Sequence, residues 1–198
     1  MGAMSEAPSR RTERKHRQRA ANRGAILDAA RRVAAREGTG DLSLRAVAAE
    51  AGYAPASVYE YFRNRAEMVL ALAADDLGQM ARSLKESSGG QAGAARAALE
   101  LVRTSGALAA AAATLERAEA PPEAERLFNG KLIAALTVFA ETAGRAPLKG
   151  RDDQADVVLI AAAIAGLGVL ARAGRLKALG FEEGELLARL DTRFKAVG

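Results

Sequence analysis

The 198-residue chain contains no cysteine and no tryptophan, and its single histidine is His16. The absence of cysteine excludes disulfide bonds and thiolate metal sites. General acid–base catalysis needs several titratable groups that converge, whereas the one histidine lies in a charged run near the N-terminus. No residue pattern is typical of a nucleophile elbow, a phosphate loop or a metal site. We therefore expect no enzyme, with no catalytic residue, no metal site and no cofactor.

The sequence also has no apolar run of bilayer length. Its longest run covers residues 157–171, which is fifteen residues and short of the roughly 20 that a membrane-spanning helix needs. No secretory signal peptide is visible at the N-terminus. These features predict a cytoplasmic protein without a membrane partner.

Proline is scarce, with five in the chain, while alanine is abundant, and this composition favours helix nearly everywhere. Apolar periodicity and turn residues predict an all-α fold with a short three-helix N-terminal module, a connecting helix and a larger bundle. The first helix is predicted from Arg23 with Asn22 as its N-cap, and Asn64 is predicted to open the fourth. Further helices are predicted near 91–105, 107–118, 122–143, 153–173 and 182–196.

Positive charge is concentrated in the first third of the chain. Residues 1–65 hold thirteen Lys/Arg and seven Asp/Glu, whereas the rest of the chain is nearly neutral. The densest part, residues 10–23, has seven Lys/Arg and one acid, Glu13. Such a run forms either a solvated tail or an arm that binds nucleic acid. We interpret residues 1–21 as a flexible basic arm, in which residues 1–4 are a cloning remnant.

Aromatic residues are rare but clustered. Four of the eight lie between Tyr53 and Phe62. Gly52, just before them, separates two short helical segments, and most of the four aromatic residues belong to the second segment. Alanines in the first segment allow close helix crossing, and Val58 and Phe62 give the second segment an apolar inner side. The pattern predicts a helix-turn-helix, whose second helix enters the major groove of DNA.

The candidate DNA contacts lie on the outer side of that second helix and at helix starts. Residues 55–57 are small enough to approach base edges, and Tyr59 and Tyr61 carry hydroxyls that can bond phosphate. Arg65 offers a cationic phosphate contact, and Ser43 opens a helix whose N-terminal N–H groups attract anions. The predicted DNA-binding set is Ser43, Arg45, Tyr53, Pro55, Ala56, Ser57, Tyr59, Tyr61 and Arg65.

The stretch from Ile26 to Leu72, with "AGYAPASVYEYFRNR" as its specific core, resembles the DNA-binding domain of the TetR family of bacterial transcriptional regulators. The resemblance implies about nine helices, with a helix-turn-helix domain over 22–66 and a ligand-binding and dimerisation domain over 67–198. It also implies a homodimer through the last two long helices, near 153–173 and 182–196. A ligand in the bundle would move helix four and change the spacing of the two DNA-reading helices.

The chain departs from the family pattern at four positions, one of which, Arg65 in place of the usual lysine, keeps the charge. Ala54 stands where a serine usually caps the third helix, which weakens that cap by roughly 1 kcal/mol. Ala56 replaces a common glycine, and Tyr53 replaces a small aliphatic residue. Tyr53 either packs against Val58 or contacts DNA, and the sequence leaves both readings open. These substitutions are expected to affect which DNA operator sequence the protein recognises.

The C-terminal region carries two further expectations. The small-residue helix containing Gly166 and Gly168 is interpreted as part of a dimer interface, with a monomer core as the alternative. The predicted ligand contacts on one helix are Phe128, Asn129, Leu132 and Phe139, although apolar helical spacing is more often core than cavity. We expect a ligand-responsive transcriptional repressor that binds a palindromic operator as a dimer and is released from it by a small hydrophobic effector. The alternative is a regulatory or architectural DNA-binding protein without an effector.

Overall fold

The computed structural model describes residues 10–86, 89–145 and 147–194, and within those ranges it contains ten helices and no strand. The predicted all-α class is confirmed. The predicted cloning remnant, residues 1–4, lies outside the described residues. The helices are α1 (Arg10–Glu37), α2 (Leu44–Ala51), α3 (Pro55–Tyr59), α4 (Arg65–Glu86), α5 (Gly90–Thr104), α6 (Gly106–Glu116), α7 (Pro122–Thr142), α8 (Arg151–Arg172), α9 (Arg175–Ala178) and α10 (Glu183–Arg193). The chain divides into two compact units between Arg65 and Ala66.

The predicted start of the first helix is wrong, because α1 begins at Arg10 rather than Arg23. Residues 10–22 contain no proline or glycine and are rich in arginine, glutamine and alanine, all of which favour helix. The Asn22 side chain does not cap a helix. Its Oδ1 accepts a hydrogen bond from Gln18 at 2.9 Å, and its Nδ2 donates to the Tyr61 hydroxyl at 3.2 Å.

The later boundaries follow the predictions within a few residues, with one addition. The segment from Gly174 to Gly180, predicted as a break, contains the short helix α9. The end of the predicted helix over 182–196 lies partly outside the described residues, and α10 is described as far as Arg193.

The core of the first unit consists of apolar residues from α1, α2 and α3. Ile26 and Val33 of α1 are fully buried, as are Val47 of α2 and Val58 of α3. Leu42, just before the Ser43 cap, is also buried, so Leu42 and Val47 on either side of the α2 cap form part of this core. An ion pair joins the first two helices.

That ion pair centres on Glu50 of α2. Its carboxylate accepts hydrogen bonds from Arg32 at 2.6 Å and from Arg36 at 2.9 Å, both on α1. The hydrogen bond from Arg32, and then the one from Arg36, lower the pKa of Glu50 below its ordinary value. The two helices are therefore held together by charge as well as by their apolar sides.

Acidification is expected to weaken this link. Because the pKa of Glu50 is lowered in the folded state, its contribution to stability is present at neutral pH and is lost as the pH falls through the folded pKa. Glu50→Gln should therefore melt at a lower temperature than the wild type at pH 7, and the difference should shrink well below about pH 4. Thermal melts across pH measure this, and a difference that does not change with pH contradicts it.

The core of the second unit lies between α5, α7 and α8, with Leu84 of α4 included. Gly168 is required where α5 and α8 approach, because a Cβ atom there would lie 2.5 Å from Cγ1 of Val102. Leu187 and Leu190 of α10, together with Phe194 just after it, pack against this core and remain partly exposed. Both helices of the predicted dimer pair thus contribute to their own subunit's core.

The outer side of α8 is apolar and exposed. Val158, Leu159 and Val169 are 54%, 55% and 57% exposed, and Leu170 lies beside them. Among the described helices, α8 alone is long and apolar enough to cross a bilayer, by length and composition only, and 22% of its most apolar window is buried. The helix spans nearly the residues predicted for it, 153–173, and extends beyond the fifteen-residue apolar run at both ends.

Candidate DNA interface and ligand cavity

The turn between α2 and α3 has the geometry that its residues predict. Ser43 caps α2, since its Oγ accepts a hydrogen bond from the Ala46 N–H at 3.1 Å. Gly52 ends α2 in the left-handed conformation, with φ of 71°, which glycine adopts without strain. The Tyr53 N–H then donates to the Ala48 carbonyl at 2.9 Å and closes the corner.

Helix α3 presents one buried and one exposed side. Val58 is fully buried, and so is Phe62 just beyond the helix, as predicted. Pro55 and Ala56 are exposed, and Tyr59 is 49% exposed. Pro55 occupies the first turn, and Ala54 forms no side-chain cap, in agreement with its departure from the family pattern. The exposed side of α3 is therefore narrow and made of small residues followed by one aromatic ring.

The other candidates differ in exposure. Arg45 and Ser43 are exposed at the start of α2, next to the N–H groups of its first turn. Ser57 and Tyr53 are partly buried, so the structure leaves both roles of Tyr53 available. These residues and the outer side of α3 belong to the same unit of the chain.

Two of the predicted phosphate contacts have partners inside the first unit. The Tyr61 hydroxyl accepts a hydrogen bond from Asn22, and the Arg19 guanidinium lies 5.4 Å from the centre of the Tyr61 ring. Arg65 donates through Nη2 to the Thr39 carbonyl at 2.5 Å, and its buried Nε has no hydrogen-bond partner among the residues that the structure describes. Sequence reasoning missed these scaffold roles because the partners lie 26 and 39 residues away in the chain.

The second unit contains an apolar cavity of about 310 Å³. Its lining residues come from α4, α5, α6, α7 and α8, and all of them are alanine, valine, leucine, isoleucine, methionine or phenylalanine. Phe128, Leu132 and Phe139 line it, as predicted from their shared face of α7. Asn129 does not, because it lies one position further round the helix and is exposed. Sequence reasoning also missed Leu77 and Met80 of α4, which line the same cavity.

A polar link lies next to this cavity in the chain. Ser105 is buried, and its Oγ donates to Oδ2 of Asp76 at 2.5 Å and accepts from the Leu108 N–H at 3.0 Å. Asp76 precedes the lining residue Leu77, and Leu108 itself lines the cavity. The link therefore joins α4 to the first turn of α6. Among the described residues, no group of three or more histidine or acidic side chains could hold a metal ion.

The fold and the exposed α3 define a helix-turn-helix DNA-binding protein with an all-α second unit. Residues 26–72 match the family model described as bacterial regulatory proteins of the tetR family. This match confirms the resemblance of the sequence core to the DNA-binding domain of that family. No curated protein matches the chain at a significant level.

Solved structures of TetR-family proteins share the fold over nearly the whole chain. A TetR transcriptional regulator from Rhodococcus sp. RHA1 has a TM-score of 0.69 at 19% identity, and the match covers 91% of this chain and 98% of that one. A TetR-family regulator from Streptomyces coelicolor has a TM-score of 0.58 at 23% identity, covering 87% and 99%. The regulator FadR from Bacillus subtilis, solved in complex with stearoyl-CoA, has a TM-score of 0.58 at 19% identity, covering 87% and 97%. At these identities the matches show a shared fold.

Proposed function

We propose that the protein is a ligand-responsive repressor that binds a palindromic DNA operator as a homodimer in the cytoplasm. An apolar small molecule in the cavity of the second unit releases it from DNA. The observation that carries the proposal is α3, whose inner side is fully buried while its outer side is open to solvent. No enzymatic activity is proposed.

DNA recognition is assigned to the exposed side of α3. The major groove is about 12 Å wide and admits one helix, and Pro55 and Ala56 allow the backbone to approach the bases closely. Ser57 can add a hydrogen bond to a base edge, and the Tyr59 ring can lie against the sugar-phosphate backbone. Ser43, Arg45 and the first-turn N–H groups of α2 supply a phosphate site at the positive end of that helix. Tyr61 and Arg65 act chiefly by holding this surface in place.

Dimerisation is assigned to α8 and α10. The outer side of α8 exposes large apolar residues over three turns, from Val158 to Leu170, and such a surface favours burial against a second copy. A palindromic site needs two reading helices about 34–36 Å apart or a multiple of this spacing, and a two-fold dimer supplies them.

The effector is assigned to the apolar cavity. Its volume of about 310 Å³ lies at the lower end of the range of ligand sites, and its lining contains no charged side chain. A charged group placed there would lose its hydration without gaining a partner, so the site favours a hydrocarbon chain or a neutral apolar ring. The stearoyl-CoA complex of the Bacillus subtilis FadR structure is consistent with an acyl group in a protein of this fold.

A route from the cavity to the DNA-binding unit is offered by α4. This helix begins at Arg65, in the first unit, and twelve residues later its Leu77 lines the cavity. A ligand that separates α4 from α6 would strain the link between Asp76 and Ser105. We propose that movement of α4 then changes the spacing of the two α3 helices in the dimer.

Filling the cavity by substitution is expected to abolish effector binding. Ala135 lines the cavity and is 2% exposed, whereas its neighbour Ala134 is exposed on the opposite side of α7. In a thermal-shift assay with 1-dodecanol as the probe, the wild type and Ala134→Phe should gain a few degrees at saturation. Ala135→Phe should gain none.

Two outcomes of this assay separate the alternatives. No shift of the wild type with 1-dodecanol or with other apolar probes favours the regulator without an effector. A shift retained by Ala135→Phe contradicts the assignment to this cavity.

The DNA-binding part is tested by selecting duplexes from a random pool with the wild-type protein and measuring mobility shifts. We expect a palindromic sequence to be enriched, and its affinity should fall steeply as salt rises because phosphate contacts release counterions. The absence of any sequence-preferring complex at moderate salt contradicts the proposed function.

A further inference from the structure

We propose that residues 10–21 of α1 are a second DNA-contacting element, here called the basic extension, which binds phosphates of the duplex outside the half-site that α3 reads. The proposal rests on the proposed function, since both elements contact one duplex. It adds a contact that is helical and fixed in direction, in place of a flexible arm.

The basic extension is highly charged and lies open to solvent. All twelve of its residues are exposed, and six of them are lysine or arginine. Its one acid, Glu13, lies 3.9 Å from Arg17. Among the described residues, no carboxylate forms an ion pair with the remaining cations at the far end, which are Arg10, Arg11, Arg14 and Lys15. A cluster of unneutralised cations on one rigid helix is complementary to a row of phosphates.

The extension is attached to the end of α3. Arg19 donates to the Glu60 carbonyl at 3.4 Å and stacks on the ring of Tyr61, to which Asn22 also donates. The Arg23 guanidinium lies 5.0 Å from the centre of the Phe62 ring. Positions 19, 22 and 23 share one face of a helix, so three consecutive anchors hold α1 against the residues that follow α3. The direction of the extension is therefore set relative to the DNA-reading helix.

The length of the extension determines how much DNA it can follow. Twelve helical residues span about 18 Å, and base pairs rise about 3.4 Å along a strand, so the extension covers about five base pairs. A solvated face is the usual role of a charged helix. Here, however, the charge is almost entirely positive, with six cations and one acid, and the base of the extension is attached to the residues that follow Tyr59. A preformed helix also loses less conformational entropy on binding than a tail does.

The first test neutralises the four distal cations. The variant Arg10→Gln, Arg11→Gln, Arg14→Gln, Lys15→Gln keeps strong helix formers and removes four charges. A duplex selected by the wild type is used, with flanks of about ten base pairs beyond each half-site. We expect affinity to fall at least about 10-fold at about 100 mM salt, and the slope of log affinity against log salt to become shallower by up to about 3.6 per subunit.

A matched control removes four exposed cations from the second unit, namely Arg82, Lys85, Arg96 and Lys131. This variant carries the same net charge, so a similar change in its slope would assign the effect to overall charge and overturn the proposal. Trimming the flanks back to the ends of the half-sites should weaken wild-type binding and leave the glutamine variant unaffected. Equal slopes for the wild type and the glutamine variant on the flanked duplex would also overturn it.

The second test breaks the helix and keeps its charge. Proline at position 20 removes a helical N–H and clashes with the preceding turn, so Ala20→Pro uncouples the extension from its anchors. We expect this variant to lose affinity for the flanked duplex and to match the wild type on the trimmed one. If Ala20→Pro binds both duplexes with wild-type affinity, the direction of the extension has no effect on binding, and the proposed fixed helical contact is overturned. If the wild type selects no duplex from the random pool, the proposed function itself is contradicted. That result is distinguishable from the outcomes above, which all start from a duplex that the wild type binds.

Discussion

Replacing Val158 and Val169 by glutamate is expected to convert the proposed dimer to a monomer and to lower affinity for a palindromic duplex at least about 100-fold. Both side chains are more than half exposed, and they lie eleven residues apart, on one line of α8. In the proposed dimer each glutamate would be buried without a partner, which opposes association strongly. In a dimer, binding of one subunit to its half-site raises the effective concentration of the other subunit at the second half-site. A monomer lacks this gain.

Light scattering coupled to gel filtration measures the molecular mass of the variant. Titrations measure its affinity for a duplex that contains both half-sites and for a duplex that contains one. Binding to the single half-site should be unchanged, because both substitutions lie in the second unit and leave the DNA-binding residues of the first unit as they are. Ile133→Glu on α7, where the side chain is 65% exposed, is the control and should stay dimeric. A double variant that remains a dimer would place the interface on a different surface.

Aspartate at two adjacent positions of α3 is expected to have opposite effects. Val58 is fully buried, so Val58→Asp places an unpaired charge in the core of unit 1 and should unfold it, with a cost of several kcal/mol. Tyr59 is 49% exposed, so Tyr59→Asp should leave the fold intact. It should nevertheless reduce DNA binding sharply, because it places a negative charge against phosphate.

Circular dichroism and limited proteolysis distinguish the two variants. Val58→Asp should make the first unit sensitive to protease while the helices of residues 66–198 remain. Tyr59→Asp should melt within a few degrees of the wild type. The orientation of α3 would be contradicted if Tyr59→Asp unfolded the protein or if Val58→Asp left it stable.

The helix-turn-helix of the first unit could be predicted closely because its signals are local. A serine cap, a left-handed glycine and a proline in the first turn fix the ends of α2 and α3 within a dozen residues. Val58 and Phe62 are four residues apart, and this helical spacing determines which side of the α3 segment packs inward. Each of these features acts over one or two helical turns, so the sequence alone contains it.

The parts that could not be predicted depend on distant contacts. Asn22 has the residue type of a helix cap, but its amide bonds Tyr61, 39 residues away, and α1 continues through it. Arg65 has the residue type and position of a phosphate contact, but its guanidinium donates to the Thr39 carbonyl, 26 residues away. The cavity is formed by five helices, and the helical spacing of α7 predicts which side is apolar without showing where space remains.

The central claim is that the outer side of α3 lies in the major groove, and methylation interference tests it most directly. A duplex selected by the wild type is partly methylated at guanine N7, which lies in the major groove, and bound and free molecules are compared. We predict that methylation blocks binding at two clusters of guanines, one in each half-site, about 34–36 Å apart or a multiple of that spacing. Full binding by duplexes methylated throughout both half-sites would contradict the account.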